Sequence, residues 1–190
     1  MTAEEQSLLQ NLDKVLQSEQ VRAGIGPIVE RVRAQLDRKR DALMAWEPIP
    51  LTLFGSALPA GIRSSWVFVL RVGANTGAER HPNSHQRMMS FEGTGDLQTE
   101  TEAVGRSPRA KSEIIWQSNV LTSDPGAALG RRWISIPPNV WHRPMIANGT
   151  DWVVVSFHTV PAQELIEERP SDGDGGTMKR MLYLAPDRKD

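Results

Sequence analysis

Two stretches of the chain, Gly77–Gly93 and Gly130–Asn148, gather the residues best able to do chemistry. In the first, Glu79 and His81 stand two apart at the end of a predicted strand, so their side chains share one face of the sheet. The Pro82-Asn83-Ser84 turn then reverses the chain, and a new strand begins with His85 and Gln86 beside that face. In the second, a strand ends at Pro137-Pro138, and Asn139 permits the tight turn that delivers His142 from another part of the sheet. Two or three imidazoles with one oxygen ligand, meeting inside a barrel, suit a divalent transition metal. The chain has no cysteine. This excludes a disulfide framework, thiolate-bound zinc, iron–sulfur clusters and a cysteine nucleophile. Any metal must use histidine with carboxylate or amide oxygen, and only four histidines exist: His81, His85, His142 and His158.

The elements that must position these residues fall into two parts. Residues 2 to about 46 read as helical, from a Thr2/Glu5 capping box through Leu8, Leu9, Leu12, Val15 and Leu16 at helical spacing. Gly24-Ile-Gly-Pro27 reads as a break, with Pro27 starting a second helix whose apolar stripe includes Ile28, Val29, Val32 and Leu36. The run Asp37–Asp41 reads as a solvated helix face. After Pro50 the texture changes to short Val-, Ile-, Trp- and Phe-rich runs separated by Gly, Pro, Asn and Asp. The clearest strands are Ser65–Val72, Gln86–Glu92, Ser112–Leu121, Arg132–Ile136 and Trp152–Val160. Weaker ones lie at Leu51–Phe54, Asp96–Thr101 and Arg180–Leu184. No βαβ alternation appears, so the expectation is an antiparallel barrel or sandwich. The division is therefore a helical extension over 1–50 and a barrel over 51–190.

The chain of 190 residues has 39% hydrophobic residues and a formal net charge of −1, which makes it globular and gives no electrostatic reason to expect nucleic acid or an anionic membrane. No apolar run approaches the ~20 residues that span a bilayer. The first residues are polar and acidic, and the expected compartment is the cytoplasm.

The pattern resembles the cupin superfamily over roughly residues 65 to 160. The first cupin motif can be laid down as Glu79-x-His81-x4-Gln86-x6-Gly93, and the second as Gly130-x6-Pro137-x-Asn139-x2-His142-x5-Asn148. Glu79 stands where the family has histidine, and Gln86 where it has glutamate. His85 offers a second solution, because His81-x3-His85 also satisfies the spacing. The resemblance implies an all-β fold, a cupin-like double-stranded β-helix (jelly-roll barrel) carrying an N-terminal helical extension. It implies a metal held by His81, His85 and His142 with Glu79 or Gln86. The metal would be iron, manganese, nickel or zinc, with Fe(II) first. The reaction expected is that of a dioxygenase-like oxygenase on a small oxygen-rich substrate. A lyase or isomerase is the alternative, and a metal-free small-molecule binder is the competing class. His158 reads either as a structural hydrogen-bonder or as a catalytic acid–base group lining the cavity, on a face shared with Val154 and Ser156. Arg87, Arg132 and Arg143 are candidates to hold a substrate carboxylate, and the tryptophans read as core. The helical stripes must be buried on the barrel exterior, over a mouth, or on a second subunit, and a homodimer is expected.

Overall fold

The computed structural model describes residues 2–101, 114–147, 149–170 and 178–184. Asn148, the first part of the Ser112–Leu121 segment and the residues after Leu184 lie outside them. Helix α1 spans Ala3–Gln17 and α2 spans Glu19–Arg38. Thr2 caps α1, its hydroxyl accepting from the Glu5 N–H at 3.2 Å. The chain does not break at Gly24–Pro27. It breaks at Ser18, whose hydroxyl accepts from the Val21 N–H at 3.4 Å, and α2 runs on through Pro27. A proline in a helix interior costs about 3 kcal/mol. Burial of Ile25, Ile28 and Val29 around it, at about 1.5–3 kcal/mol each, is enough to hold the helix together. The charge run Asp37–Asp41 is exposed as expected, but it is not a helix face: α2 stops at Arg38 and Lys39–Asp41 lie beyond it.

The helical part ends sooner than the sequence pattern suggests. Met44–Pro48 forms strand β1, and Leu51–Ala57 makes 3-10 turns where a strand is expected at Leu51–Phe54. The other strands are β2 (Ser64–Leu70), β3 (Gln86–Glu92), β4 (Thr94–Glu100), β5 (Trp116–Gln117), β6 (Val120–Thr122), β7 (Trp133–Ile136), β8 (His142–Met145), β9 (Trp152–His158), β10 (Ile166–Pro170) and β11 (Met178–Leu182). A single turn, α3, spans Leu129–Arg132. One sheet has the order β1-β2-β9-β3-β7. In the other, β4 pairs with β5, β6 and β8, and β10–β11 make a separate hairpin. All pairings of named strands are antiparallel.

Strand parity divides the core in two. Leu70, Met88, Trp152 and Val154 point into the barrel and pack with Leu97, Leu121 and Ile136. Val67, Val69, Met89, Phe91, Val153, Val155 and Phe157 point outward and are covered by Leu9, Leu12, Leu16 of α1 and Ile25, Val29, Val32 of α2. The helices therefore lie on the outer face of the five-stranded sheet rather than over a mouth. This makes β2, β3 and β9 buried on both faces and removes the polar alternation a one-sided sheet shows. Among the described residues no helix is long and apolar enough to cross a membrane.

Candidate metal centre

The site is built where the 79–81 segment meets β8. Glu79 and His142 are direct antiparallel partners, each backbone N–H donating to the other's carbonyl at 2.9 Å. Such a pair sets its two side chains next to each other. His142 arrives there because Asn139 turns the chain with φ of 67°, a left-handed conformation that asparagine tolerates. The Asn139 N–H donates to the His81 carbonyl at 3.1 Å, so the turn also fixes the His81 backbone. His81, two residues after Glu79, brings its ring to 5.5 Å from that of His142, centroid to centroid. One ligand atom each from Glu79, His81 and His142 lie within 4.8 Å of one another.

The hydrogen bonds orient both rings. His81 Nδ1 lies 2.9 Å from the Ile166 carbonyl, and His142 Nδ1 lies 3.2 Å from the Val140 carbonyl. A carbonyl only accepts, so both Nδ1 atoms carry a hydrogen, and Nε2 is the nitrogen of each ring that could bind a metal when the ring is neutral. His142 Nε2 is buried and sits 3.4 Å from Glu79 Oε1, within ion-pair range but without a hydrogen bond among the described residues. The other carboxylate oxygen of Glu79 accepts from Arg169 Nη2 at 2.7 Å. Burial alone would raise the Glu79 pKa. The neighbouring His142, Arg169 and His81 outweigh it and hold the carboxyl far below its usual range.

His158 faces the same space, its ring 5.0 Å from that of His81 and perpendicular to it. Ser84 and Ser156 hydroxyls lie 3.2 and 3.1 Å from its Nδ1 and Nε2. Burial, then the charges of His81 and His142, push its pKa well below the ordinary histidine value. Gln86 points inward beside it, its Nε2 donating to Ser156 Oγ at 3.2 Å while its Oε1 is buried without a partner among the described residues.

His85 does not join the cluster. As the neighbour of inward Gln86 it must point to the other face of the sheet, and there its Nε2 lies 2.7 Å from Ser135 Oγ, under α1. The three arginines proposed as substrate anchors are also engaged elsewhere. Arg87 pairs with Glu5 at 2.7 Å and Arg132 with Asp13 at 2.5 Å, both outside the barrel. Arg143 donates to Gln98 at 2.8 Å and lies over the Trp116 ring. The arginine at the site is Arg169, far along the chain on β10 and without any motif to mark it.

Two antiparallel sheets thus enclose one core, and the 79–86 and 137–142 motifs converge at one end of it. This is the antiparallel β-barrel with helices packed on one sheet. No family model matches the chain, and no curated protein matches it by sequence. Solved structures of similar fold include oxalate oxidase in complex with the substrate analogue glycolate, at 13% identity and a TM-score of 0.45, covering 63% of this chain and 52% of that one. They include the capsular polysaccharide assembling protein CapF from Staphylococcus aureus, at 16% identity and a TM-score of 0.43, covering 63% of this chain and 27% of that one. A third is an oxalate decarboxylase formate complex from Lactobacillus farciminis, at 12% identity and a TM-score of 0.44, covering 63% of this chain and 29% of that one. The matched part of this chain spans about half the length of the oxalate oxidase chain and less than a third of the other two.

Proposed function

We propose that this protein is a metal-dependent enzyme acting on a small oxygen-rich organic substrate, with a divalent transition metal, Fe(II) first, held by Glu79, His81 and His142. The observation that supports it is the orientation of the donor set. Both imidazoles are tied through Nδ1 to carbonyls, and one ring nitrogen of each and a Glu79 carboxylate oxygen lie within 4.8 Å of one another. Two histidines and one carboxylate with open positions suit non-haem Fe(II) oxygenases, so the reaction class proposed is oxygenation. The residues fit a cation in a further respect. Among the described residues, His142 Nε2 and Gln86 Oε1 are buried without hydrogen-bond partners, a costly arrangement unless something binds them. Gln86 is the candidate fourth donor.

When bound, the metal supplies Lewis acidity or oxygen activation. The protein's own groups do the rest. Met88, Leu97, Ile136 and Val154 make an apolar barrel interior that keeps bulk water away. His158, held between two serine hydroxyls, is the group proposed to move a proton beside the substrate. The proposal includes a homodimer. Leu43 and Val72 are exposed together at one end of the β1–β2 pair, and sedimentation equilibrium reads the subunit number.

The second reading is a barrel that binds a small molecule without metal. Gln86 in place of a carboxylate, and Arg169 on Glu79, favour it. Metal analysis of protein purified without a histidine tag separates the two. Near-stoichiometric metal, lost in a His81→Ala, His142→Ala double variant, is the expected result. No metal after reconstitution with Fe(II), Mn(II), Ni(II) and Zn(II) would sink the enzyme reading. If metal binds, substrate turnover distinguishes oxygenation from elimination or isomerisation.

A further inference from the structure

The segment that carries Glu79 and His81 forms no named strand: Glu79 bridges to β8 on one side, and β10 holds the segment from the other. Arg80 and Glu168 exchange backbone hydrogen bonds at 3.0 Å, and their side chains pair at 2.8 Å. Asn83 donates to the Glu164 carbonyl at 2.7 Å and accepts from the Ile166 N–H at 3.1 Å. Two further contacts reach the candidate ligands themselves. The Ile166 carbonyl fixes His81 Nδ1, and Arg169 takes Glu79 Oε2.

The Arg169 guanidinium spans three acceptors. Nη2 donates to Glu79 at 2.7 Å, Nε to Glu167 Oε1 at 2.6 Å, and Nη1 to the Thr76 carbonyl at 2.8 Å. Glu167 is fully buried, with a side-chain exposure of 0%. A guanidinium beside a cation site would ordinarily repel the cation and withdraw charge from its ligand. Here two carboxylates face one guanidinium, so Glu167 neutralises Arg169 and the charge of Glu79 stays available. With Oε2 tied, Oε1 is the oxygen left beside His142 Nε2.

We infer that Arg169, balanced by Glu167, is a positioning residue that aims Glu79 at the metal, which makes β10 part of the site. This rests on the metal reading above. The opposing possibility is that Arg169 competes with the cation for Glu79, and the two predict opposite signs.

The test uses full-length Arg169→Ala, Arg169→Lys, Glu167→Gln and the Arg169→Ala, Glu167→Gln double variant, with circular dichroism melts as folding controls. Each is titrated anaerobically with Fe(II), and with Co(II), whose visible absorption reports coordination geometry. Loss of a group that orients a ligand costs 10–100-fold in metal affinity, and that is the expected loss for Arg169→Ala, together with an altered Co(II) spectrum. Lysine keeps the charge but not the fork, so Arg169→Lys recovers part of the affinity. Glu167→Gln leaves the guanidinium unbalanced and also weakens binding. The double variant is no weaker than Arg169→Ala, because both act through one network. Should Arg169→Ala fail to fold, Arg169→Lys decides, and wild-type affinity and spectrum there overturn the inference. Equal or tighter binding by folded Arg169→Ala, with an unchanged spectrum, overturns it and leaves the metal reading standing. A wild-type protein that binds neither metal overturns both.

Discussion

Replacing Glu5 by glutamine should loosen the whole helical layer from the barrel. Glu5 sits on α1 and accepts from Arg87 at 2.7 and 2.8 Å and from Ser135 at 2.6 Å. The side chains of Arg87 and Glu5 are only 7% and 15% exposed, so this is a largely desolvated pair and not a surface one. Removing one member of a buried pair costs about 3–5 kcal/mol, because the partner charge is left without compensation. Glutamine keeps one acceptor oxygen, which returns roughly 1 kcal/mol. The expected loss at pH 7 is therefore about 2–4 kcal/mol. For a chain of this size that is a fall in melting temperature of roughly 4–16 °C. The pH dependence has a definite sign. Burial would raise the Glu5 pKa, but hydrogen bonds from Arg87 and Ser135 outweigh it and hold the carboxyl below its usual range. A depressed folded-state value stabilises above the unfolded value of about 4.3, and that stability is lost as pH falls through the folded value. The difference between wild type and Glu5→Gln should accordingly be full at pH 7 and shrink in acid. Differential scanning calorimetry from pH 7 to 3, on Glu5→Gln, Arg87→Met and the double variant, measures both effects. A Glu5→Gln melt within about 1 °C of wild type at pH 7, with no coupling in the double variant, would refute the reasoning.

The remaining predictions concern the metal and the packing. His85→Ala should keep its full metal content while His142→Ala loses it, as read by elemental analysis; equal losses would place His85 back among the ligands. Gly95→Ala should destabilise by about 1–3 kcal/mol or more, since overpacking forces neighbours to move. An added Cβ there collides with Trp152 ring atoms, and that ring is fully buried and held by a 2.9 Å hydrogen bond to Ser90. Urea unfolding reads this as a lower midpoint at unchanged slope.

What could be read in advance, and what could not, follows from which contacts are local. The strand β3 has the expected bounds, Gln86–Glu92, and the turn at Asn139 is where the proline pair places it. Both depend on residues within a few positions of each other. The helix break is misplaced because Gly24 and Pro27 are the stronger local signals, whereas the observed cap at Ser18 is chosen by burial of Ile25, Ile28 and Val29 under a sheet distant in sequence. β1 is hidden for a related reason. Met44–Pro48 is an edge strand whose pairing with Trp66–Leu70 decides its conformation, and Leu43 and Trp46 fall equally well on a helical stripe.

The site shows the same division at finer scale. Glu79 and His81 share a face by parity, and that local rule brings them together with His142. His85 and Gln86 are adjacent, so they must face opposite sides, and the sequence offers no way to choose between them. Alternation normally decides such a choice, but β3 is buried on both faces, with Met88 inward and Met89 outward. The choice is made by α1: Glu5 and Arg87 fill the outer face beside His85, which leaves Gln86 to the barrel. The helical extension thus affects the composition of the candidate centre without touching it. Arg169 and Glu167 reach Glu79 from the other direction, about ninety positions away and with no spacing to announce them. A barrel with the two motifs alone would present the ligands, while the layers added at each end of the chain determine which side chains remain at the site and how they are aimed.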